Sequence, residues 1–212
     1  MDVASSLASS LALVDYRRRV AEMYLAAPTD GEAGWLAFRS ARDELFLTHP
    51  QSALNQEQKE RTEQLPYFPY NPQARVEATV QPLPAGDQGE ISIDTGGEDG
   101  TISYRRLCRL TTPFGSLTLL RMIGYGGGLF LPFRDGTSGR ETYGGGRYLT
   151  DTIKGTFGRG LVFEGAAVTL DFNYAYNPSC VYNYHTFCPL APAENTLPEP
   201  VRAGELTYPF PM

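Results

Sequence analysis

Hydrophobic and polar positions divide the chain at residues 65–72. Before that point, Leu13, Tyr16, Val20, Met23, Tyr24 and Ala27 recur at spacings of three and four, which predicts an amphipathic helix over residues 11–27. Pro28, Thr29, Asp30 and Gly31 end it, because proline lacks the next backbone donor and glycine favours a turn. Trp35, Phe38, Leu45 and Phe46 mark a second helix over residues 32–48, with polar Arg42 near the same face and His49-Pro50 as its stop. Ser52 or Asn55 opens a third, short helix reaching residue 64, whose polar sequence NQEQKERTEQ places it on the surface. The LPYFPYNP stretch then reads as an extended connection pinned to the core by Tyr67, Phe68 and Tyr70.

Beyond residue 73 the period changes to two. Val76, Ala78 and Val80 share one face of a strand, and ISID is a short second one. Ile102, Tyr104 and Cys108 line one face of a third, with Arg106 among them, and residues 101–123 form a hairpin around PFGS. Further strands are expected at LFLPF, ETYGGGRYL, GRGLVFE and AAVTLDFNY, separated by turns such as RDGTSGRE. Residues 177–212 are Pro-rich and aperiodic and read as an ordered wrap. The prediction is a single α+β domain: a helical part (1–64), a β body (73–176) built as an antiparallel β-barrel or β-sandwich, and the C-terminal wrap.

Composition supports the β body, since 22 Gly, 16 Pro and 13 Tyr favour short strands and turns over long helices. A net charge of −6 argues against nucleic acid as the main partner, because phosphate binding needs a basic surface. Arg17, Arg18 and Arg19 form the one basic run, read as a solvated helix face. No apolar segment approaches the ~20 residues of a membrane span, and the MDVASSLASSLALV start lacks the basic opening of a secretory signal. The chain is therefore expected to be cytoplasmic, with no membrane partner.

Candidate chemistry concentrates in residues 129–149, LFLPFRDGTSGRETYGGGRYL. Asp135 and Glu141 can divide acid and base roles if their environments separate their pKa values; otherwise Asp135 holds the DGTSG turn and Glu141 pairs with a nearby arginine. Arg147, beside small residues, suits a bidentate contact to an anionic ligand or an internal salt bridge, for example to Asp171. Asp171 and Asn173 offer a second base and an amide. Tyr143, Tyr148, Thr137, Thr142, Tyr176 and Asn177 complete the expected ligand-binding set. YGGGRY lacks the Lys and Ser/Thr of a phosphate-cradling loop, and no Gly-x-Ser-x-Gly elbow is present. Cys108 reads as a core residue; Cys180 and Cys188 are buried thiols, a disulfide, a redox pair or, with His185, part of a metal site. With two histidines in all, a His-rich metal centre is excluded.

Taken together, LFLPFRDGTSGRETYGGGRYL, LDFNYAYNPSC, CPLAPAENTL and the closing AGE resemble the bacterial and archaeal family of domain of unknown function 1684, from Trp35 to Glu205. The resemblance marks Phe133, Asp135, Thr137, Gly139, Thr142, Tyr143, Gly146, Arg147, Tyr148, Asp171, Asn173, Tyr176, Asn177, Cys180, Cys188, Asn195 and Glu205 as a shared site and implies no particular reaction. Exported relatives make a Cys180–Cys188 disulfide more plausible in them than here.

The functional expectation is a small-molecule-binding protein that acts as a cofactor-independent enzyme of hydrolase, lyase or cyclase type, in a biosynthetic pathway. Asp135, Glu141 or Asp171 would be its acid or base, and Arg147 would pair with a ligand carboxylate. The alternatives are a non-catalytic ligand-binding or interaction protein, whose mark is Asp135 and Asp171 fully occupied by backbone donors or arginine, and a metal-binding protein using Cys180, His185 and Cys188. The site is expected to form where the 134–148 loop, the 171–177 segment and the cysteine-bearing coil converge.

Overall fold

The computed structural model describes residues 3–25, 31–97 and 100–211. Three helices come first: α1 (Val3–Leu25), α2 (Glu32–Thr48) and α3 (Gln56–Arg61). The expected stop at Pro28, Thr29 and Asp30, with Ala27 before it, lies outside the described residues. α1 starts eight residues earlier than expected: Val3, Leu7, Leu11 and Val14 are exposed, and only Val20, Met23 and Tyr24 are buried. Serine and alanine carry the early turns, where Ser9 accepts from Gln51 Nε2. α3 is shorter than expected and opens with a capping box, in which Asn55 accepts from the Gln58 amide and the Gln58 side chain accepts from the Asn55 amide. It is also less superficial, because Gln58 is buried and its Nε2 donates to the Tyr182 and Phe210 carbonyls. No helix among the described residues is long and apolar enough to cross a membrane.

Eight antiparallel strands follow: β1 (Arg75–Gln81), β2 (Glu90–Asp94), β3 (Thr101–Thr112), β4 (Gly115–Met122), β5 (Gly128–Phe133), β6 (Arg147–Asp151), β7 (Leu161–Glu164) and β8 (Ala167–Asp171). They form one sheet in the order β6-β5-β4-β3-β1-β8-β7, with β2 also paired to β3. The register of β3 shifts between Arg106 and Cys108, leaving Leu107 exposed. On one side of this bulge β3 pairs with β2, and on the other with β1. The edge strand β6 meets the segment after β8 through reciprocal bonds between Tyr148 and Tyr176, 2.9 and 3.0 Å, so the sheet curls into a nearly closed barrel. The expected α+β architecture, helices packed on an antiparallel barrel, is what forms.

Two apolar clusters result. One fills the barrel, with Leu110, Leu117, Leu131, Phe133, Leu149, Leu170 and Phe172 among its members. The other joins helices to barrel through edge-to-face aromatic contacts such as Tyr24–Phe38, Phe38–Tyr174 and Tyr148–Tyr176. The wrap is pinned by side-chain amides and backbone. Asn195 Nδ2 donates to the Thr118 and Pro132 carbonyls at 3.0 and 2.8 Å, and its Oδ1 accepts from the Thr118 amide at 2.7 Å. Glu205 then pairs with Tyr67 as an isolated bridge.

Gly204 sits at φ +80, and an added Cβ would lie 2.6 Å from the Ala175 carbonyl oxygen. Gly204→Ala should therefore cost roughly 2–4 kcal/mol, combining left-handed strain with overpacking against backbone. A urea midpoint unchanged from the parent protein would show that the wrap does not hold the barrel.

Candidate functional site

The DGTSG segment is a closed polar knot. Asp135 Oδ1 accepts from the amide and hydroxyl of Thr137 at 2.6 and 2.5 Å, and Thr137 Oγ1 lies 2.8 Å from Thr142 Oγ1. Asp135 Oδ2 accepts from Arg147 Nη2 at 2.6 Å. The same guanidinium donates to the carbonyls of Val201, Ala203 and Glu205, so Arg147 is fully buried with its donors directed at the wrap. Burial pulls its pKa down, opposed by the Asp135 carboxylate. Its salt-bridge partner is Asp135 and not Asp171. ETYGGG is a turn rather than the start of a strand, and β6 begins only at Arg147. Gly146, at φ +98, leaves no room for a Cβ, which would meet the Phe133 carbonyl oxygen at 2.6 Å. Glu141 lies at the surface and pairs with Arg202 at 3.0 Å.

The DFNYAYN segment does not continue β8. Phe172–Tyr174 is a 3₁₀ turn capped by Asp171, whose Oδ1 accepts from the Asn173 amide at 3.0 Å and from Asn173 Nδ2 at 2.9 Å. The turn breaks the expected alternation, and all of Asp171, Phe172, Asn173 and Tyr174 are buried. Asn173 also exchanges two 2.8 Å bonds with the Asn71 backbone, and its own carbonyl accepts from Trp35 Nε1. Burial raises the pKa of Asp171, opposed by these Asn173 bonds.

Both segments meet around Glu205, which is wholly buried. Its carboxylate accepts from Arg42 Nε at 2.7 Å, the Asn177 amide at 2.5 Å and Tyr182 Oη at 2.8 Å. Burial lowers the Arg42 pKa, but the Glu205 charge together with Tyr67, Tyr182 and Tyr24 outweighs it, and it stands well above the ordinary value. Not every atom here is engaged: Arg42 Nη2 and Asn177 Oδ1 are buried without a hydrogen-bond partner. Arg42, Tyr148, Lys154, Thr156, Tyr176 and Asn177 line a cavity of about 60 Å³ between the helices and the barrel. Three expected ligand-binding residues, Tyr148, Tyr176 and Asn177, are thus brought together. Within it, Tyr176 Oη bonds to Thr156 Oγ1 at 2.7 Å, and Tyr148 Oη donates to the Pro189 carbonyl.

Lys154 also lines a second cavity, of about 150 Å³, on the outer wall of the barrel. Its walls include Tyr104, Met122, Phe130, Phe187 and the carboxyl-bearing Asp151. Asp151 is buried, and burial raises its pKa against the opposing pull of Lys154 and nearby backbone amides. Among the described residues it has no ion-pair partner within 4 Å, in contrast to Asp135. Burial, with Asp151 beside it, likewise raises the Tyr104 phenol. Sequence reasoning passed over Asp151, Tyr104 and Lys154; the one signal in the helical part was Arg42, a charge close to an apolar helix face.

The expected metal arrangement does not assemble. Among the described residues no group of three or more His, Cys, Asp or Glu side chains is placed to hold a metal, and exposed His185 stacks on Tyr184. Cys108 lies half-buried in the barrel wall, while Cys180 and Cys188 are free thiols near Tyr143.

The sequence signature of a family described as protein of unknown function (DUF1684) matches residues 60–206. The chain belongs to this family. The match begins after α2, so Trp35 and the helical wall of the smaller cavity lie outside it. The chain is also similar to an uncharacterized protein of Haloarcula marismortui solved by solution NMR: 34% identity, 82% of this chain and 93% of that one covered, TM-score 0.56. No curated protein matches the chain.

Removing Arg147 leaves the Asp135 carboxylate and three wrap carbonyls buried without their donor. Arg147→Ala should cost roughly 3–5 kcal/mol of stability. Asp135→Asn in the same background should recover part of that loss, as a double-mutant cycle in chemical denaturation would read. Wild-type stability for Arg147→Ala would contradict this and return Arg147 to the role of a ligand contact.

Proposed function

We propose that the protein binds a small, largely apolar molecule bearing an anionic group in the Asp151 cavity and carries out proton transfer on it without a cofactor. The observation that carries this reading is Asp151 itself: a buried carboxyl with a raised pKa, facing a mostly apolar cavity with Tyr104 opposite. At ~10–15 Å³ per water-sized sphere, its volume suits a ligand of about ten heavy atoms. Lys154 supplies a cation at the rim and also lines the neighbouring cavity, where Arg42 Nη2 is an available donor. The Asp151 carboxyl, raised by burial, faces the cavity, whereas Asp135 and Asp171 are held by threonine, asparagine and arginine partners.

The occupation of Asp135 and Asp171 favours a second reading, a binding protein without catalysis. Saturation-transfer NMR with small aromatic and aliphatic carboxylic acids separates the two. Saturable binding weakened about tenfold by Lys154→Met, equivalent to ~1.4 kcal/mol, supports the site. Deuterium uptake into a bound acid that is lost in Asp151→Asn supports proton transfer; binding without uptake favours the second reading. If no acid binds, or Lys154→Met binds as well as wild type, the cavity assignment fails.

The raised Asp151 pKa also fixes a stability trend. The folded state keeps the Asp151 proton at pH values where the unfolded chain, near 3.8, has lost it. Its contribution to stability therefore falls as pH rises from the unfolded value through the folded one. Asp151→Asn removes that penalty and should raise the melting temperature at neutral pH by roughly 2–4 °C, the effect of ~1 kcal/mol in a chain of this size. The gain should vanish in acid below the unfolded pKa; a destabilised variant at neutral pH would contradict the assignment.

A further inference from the structure

Next to the Asp151 cavity, whose wall includes Phe187, the chain folds back on itself between Cys180 and Cys188. Ser179–Val181 forms a 3₁₀ turn, and the Tyr182 and Asn183 amides both donate to the Ser179 carbonyl. Asn183 then closes the next turn, accepting from Thr186 through its carbonyl and from the His185 amide through its side chain. This double turn brings both free thiols to the wall of one cavity. Cys180 Sγ also lies 3.9 Å from Tyr143 Oη. Both cysteines and Tyr143 line an open cavity of about 390 Å³, walled by Tyr184, Phe187 and Leu190.

Structural cysteines ordinarily pack against apolar neighbours and stay protonated, as half-buried Cys108 does, its pKa raised by burial. Here Cys180 lies beside Cys188, and the backbone amides of Cys180 and Ser179 and the charge of Lys154 act on Cys188 as well. Against the cost of burial, these hold Cys188 down to about 6. Cys180 is pushed up by the neighbouring Cys188 and by its burial. Two free thiols on the wall of one open cavity, eight residues apart on a closed double turn, are placed to act as a nucleophile and a resolving thiol.

We propose that Cys188 and Cys180 form a dithiol reaction site that exchanges with small organic disulfides entering the cavity beside Tyr143. The Cys188 thiolate attacks one sulfur of the disulfide RSSR, forming a Cys188–SR mixed disulfide and releasing RS⁻, which takes up a proton. Cys180 gives up its proton and attacks Cys188 Sγ, expelling the second RS⁻. The two cysteines are oxidised to one intramolecular disulfide and RSSR is reduced to two RSH. The product can be reduced again by a small thiol through the same steps in reverse.

The test uses the full chain carrying Cys108→Ser, fully reduced, incubated with 2-hydroxyethyl disulfide. The proposal expects a protein mass lower by about 2 Da and a peptide link between Cys180 and Cys188. It expects Cys180→Ser, which retains a hydrogen-bond donor, to accumulate the mixed disulfide on Cys188. Cys188→Ser should react at least tenfold more slowly. The wild-type rate should level off by about pH 7, whereas an ordinary thiol near 8.5 continues to accelerate. Retention of both thiols in wild type overturns the proposal, as does a rate still climbing above about pH 8 or a Cys188→Ser variant that reacts as fast as its parent.

Discussion

The Glu205 carboxylate is the group on which the rest of the protein closes. An uncompensated carboxylate at full burial would cost several kcal/mol, so the chain must deliver donors to it from wherever they lie in sequence. Arg42 arrives from α2, Asn177 from the segment after β8, and Tyr182 from the cysteine-bearing coil. Satisfying one charge therefore brings the helical part, the barrel edge and the wrap to a common point. The Glu205 backbone adds to this, since its amide donates to the Ala175 carbonyl and its carbonyl accepts from Arg147.

Arg147 performs the complementary task beneath the wrap. Its guanidinium carries five donors in a fixed fork and can hold several carbonyls at once while remaining charge-paired. Asp135 supplies the pairing, and Thr137 and Thr142 hold Asp135 in place. The density of ionisable and hydroxyl groups in residues 134–148 is thus accounted for by backbone that has no strand of its own to bond to. An irregular wrap buries carbonyls, and a buried carbonyl needs a donor.

Satisfaction of polar groups also distinguishes the scaffold from the proposed sites. Around Asp135, Asp171, Asn173 and Asn195, partners are supplied by the protein itself. Around Asp151, Arg42 Nη2 and the Cys180–Cys188 pair, groups are buried yet face cavities with spare capacity or a displaced protonation balance. Proteins tolerate such local inconsistency mainly where function needs it. The sites argued above rest on that contrast.

Local periodicity by itself determined the elements: α2 over 32–48, the hairpin over 101–123 and the switch from helix to strand near residue 73 follow from spacings of three to four or two. The motifs in residues 129–149 and 171–177 also announced that they belong together, and they do meet. What spacing did not disclose is the use of each polar residue. Asp135 and Asp151 are both aspartates near strand ends, and Arg147 and Arg42 both lie among apolar or small neighbours. Only the tertiary structure places Arg147 against Asp135 and leaves Asp151 facing a cavity, because hydrogen bonds across 12 to 163 residues decide which charges are neutralised. Local sequence sets the backbone's period, whereas pKa and ligand access depend on groups that folding brings in from elsewhere.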